Sequence, residues 1–270
     1  MKIAAVGFIA FSLFSTPLLA QDINDPASTA GVLKARREEA AIIKNFPSIA
    51  SREGDVLTLS RGGHPVARLT DQGIQHCDGM GTCNVWRFLG MVSLQVTSHR
   101  HETYAEVTHL DGEDRDFLLI GEDGTAIWLD DEPMASPDGR YVATGETAGL
   151  SDSPLVIIDW TSPGRRASAV FNSACQPVGW LDAATLNVIC SRNDKTSGYV
   201  LATVKAAGPK AWRLQETQVV DDYRTRKPVN DPGFKPRSEM AAITVVAAAS
   251  ARKTAEAGAG HREDGYEKLN

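Results

Sequence analysis

His99, His101 and His109 come nearest to a chemical constellation in this chain. On an extended strand two residues apart share a face, so His99 and His101 point the same way, and His109 on the following strand can face them. Three imidazoles are enough to hold a zinc ion. His99-Arg100-His101 falls at an expected hairpin turn, however, where exposed polar residues are ordinary, and no carboxylate is fixed beside them. The acidic turns at 111–114, 122–124 and 130–132 offer oxygen ligands. None has the spacing or the glycine position of a calcium loop. Gly-x-Ser-x-Gly is absent, no glycine-rich loop leads into a helix to cradle phosphate, and no spacing selects two carboxylates as acid and base. The residue types therefore assign no catalytic group and imply no cofactor.

The four cysteines are an even set, and disulfides are the default in an exported chain. In an antiparallel hairpin, facing residues have a constant index sum. A turn at Asp182-Ala183 sets that sum at 365, and Cys175 with Cys190 meets it. The remaining pair, Cys77 with Cys83, closes a short glycine-rich loop, CDGMGTC. Five residues lie between these two cysteines, not the two of a thioredoxin motif or a zinc knuckle, so a structural bridge is expected even with His76 alongside.

Residues 1–20 carry the marks of a secretory signal: Lys2, an apolar run from Ile3 to Phe14, then Ser15, Thr16, Pro17 and a small Ala20. The run is shorter than a membrane span, as is the apolar stretch from Met240 to Ala249. A periplasmic or secreted protein is expected, not membrane-spanning once the signal is removed. The formal net charge is −6, and losing Lys2 makes it one unit more negative. An acidic chain of this kind is a poor partner for nucleic acid, whose phosphates need a basic face. Residues 21–50 are expected to form a helix and linker. Asp25-Pro26 or Ser28 caps it, Ala30 to Lys44 runs without a breaker, and Pro47 ends it. Val32, Leu33, Ala40 and Ile43 make its apolar stripe, while Lys34, Arg36, Arg37, Glu38 and Glu39 face water. Such a helix either caps the domain that follows or serves as an arm for a partner. Residues 221–239 read as linker, and 251–270 as a disordered tail.

Between these ends, residues 51–250 read as all-β. Short runs rich in Val, Ile, Leu, Thr and aromatics alternate with Gly, Pro, Asp and Ser. The clearest unit has strands at 132–139, 140–146, 154–160 and 165–171, with the turn Ser136-Pro137-Asp138-Gly139 between the first two. A second follows at 177–181, 185–191, 198–204 and 211–215. A third precedes it at 85–89, 91–98, 103–110 and 115–120. Gly90, Gly139 and Ala184 mark corresponding turns, 49 and 45 residues apart. A half-unit, 55–60 and 65–70, lies upstream, and Ala241–Ala247 is the candidate strand to complete it. The expected architecture is a β-propeller-like array of about four four-stranded antiparallel blades. Trp86, Trp128, Trp160, Trp180 and Trp212 fill the wedges between sheets or, on the sharper reading, line a binding rim.

The unit MASPDGRYVATGETAGLSDSPLVIIDWTSPGRRASAVF resembles the WD40-like (PD40) repeat of the TolB C-terminal propeller and its relatives. Ser136, Pro137, Asp138, Gly139, Ile157, Ile158, Asp159, Arg165 and Arg166 carry the pattern. One unit matches by motif and two more by strand order, over residues 54–215. TolB has an α/β domain ahead of its propeller, for which this chain has no room, so the resemblance implies a fold and a compartment and not the TolB role. The functional expectation is an exported binding module that engages a protein or envelope component through its loop face. The alternatives are a hydrolase or lyase with its site in an axial channel, and an exported inhibitor or immunity-type protein.

Overall fold

The computed structural model describes residues 29–72, 83–111, 114–129, 131–146, 153–162, 167–192, 198–208, 211–241 and 266–269. Both the expected signal and Cys77 with its neighbour His76 lie outside them. One helix, α1 (Thr29–Ile43), precedes an all-β body. β1 (Ala50–Glu53), β2 (Val56–Arg61) and β3 (His64–Thr70) form an antiparallel sheet completed by β16 (Tyr266–Lys268), in the order β1-β2-β3-β16. The second sheet is a meander of β4 (Asn84–Thr97), β5 (Arg100–Asp111), β6 (Asp114–Ile120) and β7 (Ala126–Leu129). The third has eight strands. β8 (Met134–Ala135), β9 (Tyr141–Thr144) and β10 (Pro154–Asp159) lead into the long β11 (Ala167–Asp182). β12 (Thr185–Ser191), β13 (Tyr199–Gly208), β14 (Ala211–Val220) and β15 (Ser238–Met240) follow in order.

β11 gives the third sheet its character. Its first half pairs with β10, up to Pro154 opposite Ala174, and its second half pairs with β12 from Cys175 opposite Cys190. Leu155, Ile157, Ala169 and Phe171 from one half meet Leu186, Val188, Val204, Trp212 and Leu214 from the other in a single buried cluster. The sheet is therefore doubled over on itself. A second cluster joins the first sheet (Leu57, Leu59, Leu69) to the second (Trp86, Phe88, Val107, Leu118). A third joins the opposite face of the second sheet (Leu94, Tyr104, Leu119, Ile127) to Val142, Ile158 and Trp160. Strand alternation makes this possible, because β5 sends Ala105 and Val107 to one neighbour and Tyr104 to the other. Burying each of the large apolar side chains contributes about 2–3 kcal/mol.

Several expected boundaries move. Gly90 is not a corner: β4 runs through it as a bulge, with the register shifting between Phe88 and Gly90, and the hairpin turns at 98–99 instead. A glycine ends a strand only when the chain reverses there, and at φ 145° Gly90 lets the strand jog by one residue instead. The strands expected at 165–171 and 177–181 are fused in β11, since Asn172 to Gln176 holds no residue that breaks an extended run. The missing strand of the first sheet is not Ala241–Ala247. Tyr266–Lys268, inside the expected tail, pairs with Ala67 to Leu69, while the Ala241 N–H donates to the carbonyl of Trp212 and residues 242–247 lie outside the described set. Burial of Tyr266 supplies the stabilisation that the tail's composition did not suggest. The linker expected at 221–239 contains β15, and β1 and β7 were too short to register by pattern.

Gly139 shows why the SPDG turn is specific. Its φ is +71°, and a Cβ there would sit 2.6 Å from the Ser93 carbonyl oxygen of the neighbouring sheet. The turn is internally braced: the Ser136 hydroxyl lies 2.6 Å from Asp138 Oδ1 and accepts the Tyr141 N–H at 2.9 Å. The Gln95 N–H then donates to the Gly139 carbonyl at 2.8 Å, docking the turn on β4.

Candidate functional site

Antiparallel alternation sorts the connections between strands. The described turns 62–63, 98–99, 121–125, 136–140 and 183–184 fall at one end of the strands. The described segments 54–55, 131–133 and 221–237 fall at the other. Contacts between sheets keep the two ends in step. At the tight-turn end, Gly124 abuts the Val66 carbonyl and Gly139 abuts Ser93. At the long-connection end, Gly145 abuts the Cys175 carbonyl, and Glu239 accepts from the Asn172 N–H and the Ser173 hydroxyl. The longest connection among the described residues, 221–237, lies at this second end.

This end is ordered by ion pairs. Arg237 donates to Glu216 at 2.9 Å and to the Ser173 hydroxyl at 2.8 Å, which ties 221–237 to the fold in β11. Arg192 pairs with Asp231 at 2.8 Å, and its guanidinium lies 5.9 Å from the Phe234 ring centre. α1 lies on the edge of β4 through a buried polar set. Glu39 accepts from Arg52 at 2.5 Å and from the Phe88 N–H at 2.7 Å. Asp71 accepts from Arg52, Arg36 and the Trp86 N–H at 2.9, 2.6 and 2.8 Å, while Arg52 also donates to the Trp86 carbonyl at 2.6 Å. Burial opposes the Arg36 cation, but hydrogen bonds to Asp55 and Asp71 outweigh it and hold the guanidinium above its ordinary pKa. Side chains here satisfy backbone groups that a fifth strand would otherwise take.

Glu39 and Arg36 were expected to face water, and Leu33 and Ala40 to face the body. The reverse holds: Glu39 is buried, whereas Leu33 and Ala40 are exposed. The inward stripe is Val32, Arg36, Glu39 and Ile43. The face is polar because the surface under the helix is a strand edge whose Trp86 and Phe88 N–H groups take carboxylates as partners.

The three histidines are not brought together. His99 and His101 are exposed at the tight-turn end, with His101 opposite Gln95. His109 lies opposite Trp86 near the other end of the same hairpin, about 25 Å of strand away. It is buried, stacked on Trp86 with centroids 4.0 Å apart, and its Nε2 lies 3.0 Å from Asn84 Oδ1. Its Nδ1 is 3.9 Å from Asp116 Oδ2. Among the described residues no group of three or more His, Cys, Asp or Glu side chains converges as a metal site. Cys175 and Cys190 form a disulfide and face each other in the ladder. Their pairing holds although the turn is at Ala183-Ala184, one residue later than expected, because two bulges in β11 restore the register. Cys83 is buried beside Val32, Val85 and Leu110, and the expected Cys77–Cys83 bridge lies outside the described residues. Trp86, Trp160 and Trp212 are fully buried, so packing, not a rim, accounts for them.

One carboxyl stands apart. Glu106, on β5, faces the interval between the second and third sheets. Burial, reinforced by the Glu132 charge, pushes its pKa up to about 7. Its cross-strand neighbour is Gly90, where a Cβ would meet nothing within 4 Å.

No family model matches the chain, and the searches of curated proteins and of solved structures likewise give no match. No helix among the described residues is long and apolar enough to cross a membrane.

Proposed function

We propose that this protein is an exported, β-propeller-like binding module that engages a protein or envelope component through the end carrying the 221–237 connection. The observation that carries the reading is the asymmetry of the connections. The described turns at one end are tight and docked on neighbouring sheets, while the long described segment 221–237 lies at the other. Binding residues belong on such segments when a rigid scaffold positions them. The propeller reading is supported by antiparallel sheets of four, four and eight strands joined through buried apolar clusters, by the pairing of β16 with β3 in the first sheet, and by the resemblance of Ser136–Gly139 to a TolB-type repeat. The Cys175–Cys190 disulfide supports an oxidising compartment.

Fractionation of the native host, followed by site-specific cross-linking from the exposed residues Arg224 and Asn230, tests the reading. The expected result is a periplasmic or secreted protein with a discrete cross-linked partner. A cytosolic protein, or one cross-linked equally from the exposed His99 at the opposite end, overturns it.

A further inference from the structure

Within 221–237 the turn 221–227 gathers three exposed cations, Arg224, Arg226 and Lys227, in a protein of net charge −6. Its two carboxylates, the exposed Asp221 and the half-buried Asp222, accept hydrogen bonds from the loop's own donors. Asp221 accepts from the Thr225 hydroxyl at 2.8 Å and the Lys227 N–H at 3.0 Å. Asp222 accepts from the Arg224 N–H at 2.7 Å and the Thr225 N–H at 3.2 Å. The Thr225 hydroxyl, with the backbone donors, holds the Asp221 carboxyl below its ordinary pKa. The backbone closes the same loop, with the Asp221 N–H donating to the Lys227 carbonyl and the Arg226 N–H to the Asp222 carbonyl. Arg226 has φ +52°, the one positive φ outside glycine among the described residues. A side chain held in that conformation costs free energy that a glycine would avoid.

The flank of the turn is aromatic. Tyr223 packs on Tyr199 with ring centroids 5.5 Å apart, and Arg224 lies over the Tyr223 ring while its Nε donates to the Tyr223 hydroxyl at 2.6 Å. Arginine beside tyrosine on a pre-ordered loop is the composition that dominates protein interfaces. Planar guanidinium groups match carboxylates in a two-point geometry. A chain this acidic is repelled as a whole by an anionic bilayer, which favours a local acidic segment over a charged lipid surface.

We infer that the 221–227 turn is the recognition element for an acidic, Asp/Glu-bearing segment of a partner protein. This names the chemistry of the partner and rests on the binding-module reading above. The test titrates the full mature chain with a fluorescein-labelled peptide of alternating Glu and Gly, read by anisotropy. The variant is Arg224→Gln/Arg226→Gly/Lys227→Gln, in which glycine suits the backbone at 226. The comparison is Lys34→Gln/Arg37→Gln, which removes exposed cations from α1, and circular dichroism checks that both fold.

The inference expects binding that weakens as salt is raised, a loss of about tenfold in the turn variant, and less than about twofold in the α1 variant. Equal losses in the two variants overturn it, as does an absence of binding by the unaltered chain. Uptake on phosphatidylglycerol vesicles that matches the peptide and is lost with the same variant also overturns it. Cross-linking separates the two levels. A partner retained equally by the unaltered chain and the turn variant removes the inference and leaves the module. No partner for either removes the module itself.

Discussion

Arg52 reaches Glu39, Asp71 and the Trp86 carbonyl at once, and so joins α1, β1 and the edge of β4. Removing one partner from such a set strands a buried charge. Arg52→Met is expected to cost about 3–4 kcal/mol in urea unfolding, well above a surface ion pair such as Arg100 with Glu102. Glu106 gives a pH signature of opposite sense to most carboxylates. Its folded pKa is about 7, above the ordinary 4.5, so the folded protein binds more protons between those values. Its favourable contribution is fully present below about 4.5 and is lost as pH rises through 7. Glu106→Gln is expected to flatten that slope, stabilising the protein by about 2 kcal/mol at pH 8 and leaving it nearly unchanged at pH 4. Paired thermal melts at the two pH values check this.

At the scale of elements, the Ser136–Gly139 turn and the 175–190 hairpin make the strongest statements. Gly139→Ala combines a positive φ with a Cβ 2.6 Å from a backbone oxygen. It is expected to destabilise by more than about 2 kcal/mol, whereas Gly62→Ala, with equal φ strain elsewhere but open space, should cost about 1. Reducing Cys175–Cys190, which closes a separation of 15 residues, should cost about 3 kcal/mol.

These same elements show what was readable before any coordinates. The SPDG turn and the cysteine pair were legible because each is a local signal, a required backbone conformation or a facing position. α1 was legible because Ala30 to Lys44 has no breaker and Pro47 follows. Its inward face was not, because Glu39 answers donors on β1 and β4 (Arg52 and the Phe88 N–H) and Arg36 answers the carboxylates of Asp55 and Asp71, all farther along the chain. Gly90 misled for a related reason: glycine signals an unusual φ but not whether the chain turns or bulges. The basic turn at 224–227 read as linker, since the hydrogen bonds by which Asp221 and Asp222 close it have no one-dimensional trace.

At the scale of the whole molecule, the early strands β1–β3 share the first sheet with β16, which lies about 200 residues later. β16 pairs with β3, the Tyr266 hydroxyl donates to the Gly124 carbonyl, and Lys268 reaches Thr125 Oγ1 at 2.9 Å. Burial raises the Tyr266 phenol to about 12, in keeping with a ring packed under the sheet. Truncation after residue 264 bares the β3 edge, and the expected outcome is a lower melting temperature together with concentration-dependent association in light scattering.

β11 sets a limit on how this architecture comes apart. Because one continuous backbone serves two halves of a doubled sheet, neither half has a border across which it can open alone. Amide hydrogens of Ile157 and Val188, though on different halves, should therefore exchange through a common opening event with matched free energies. The unit that frays, refolds or could be copied as a building block is eight strands long, not four.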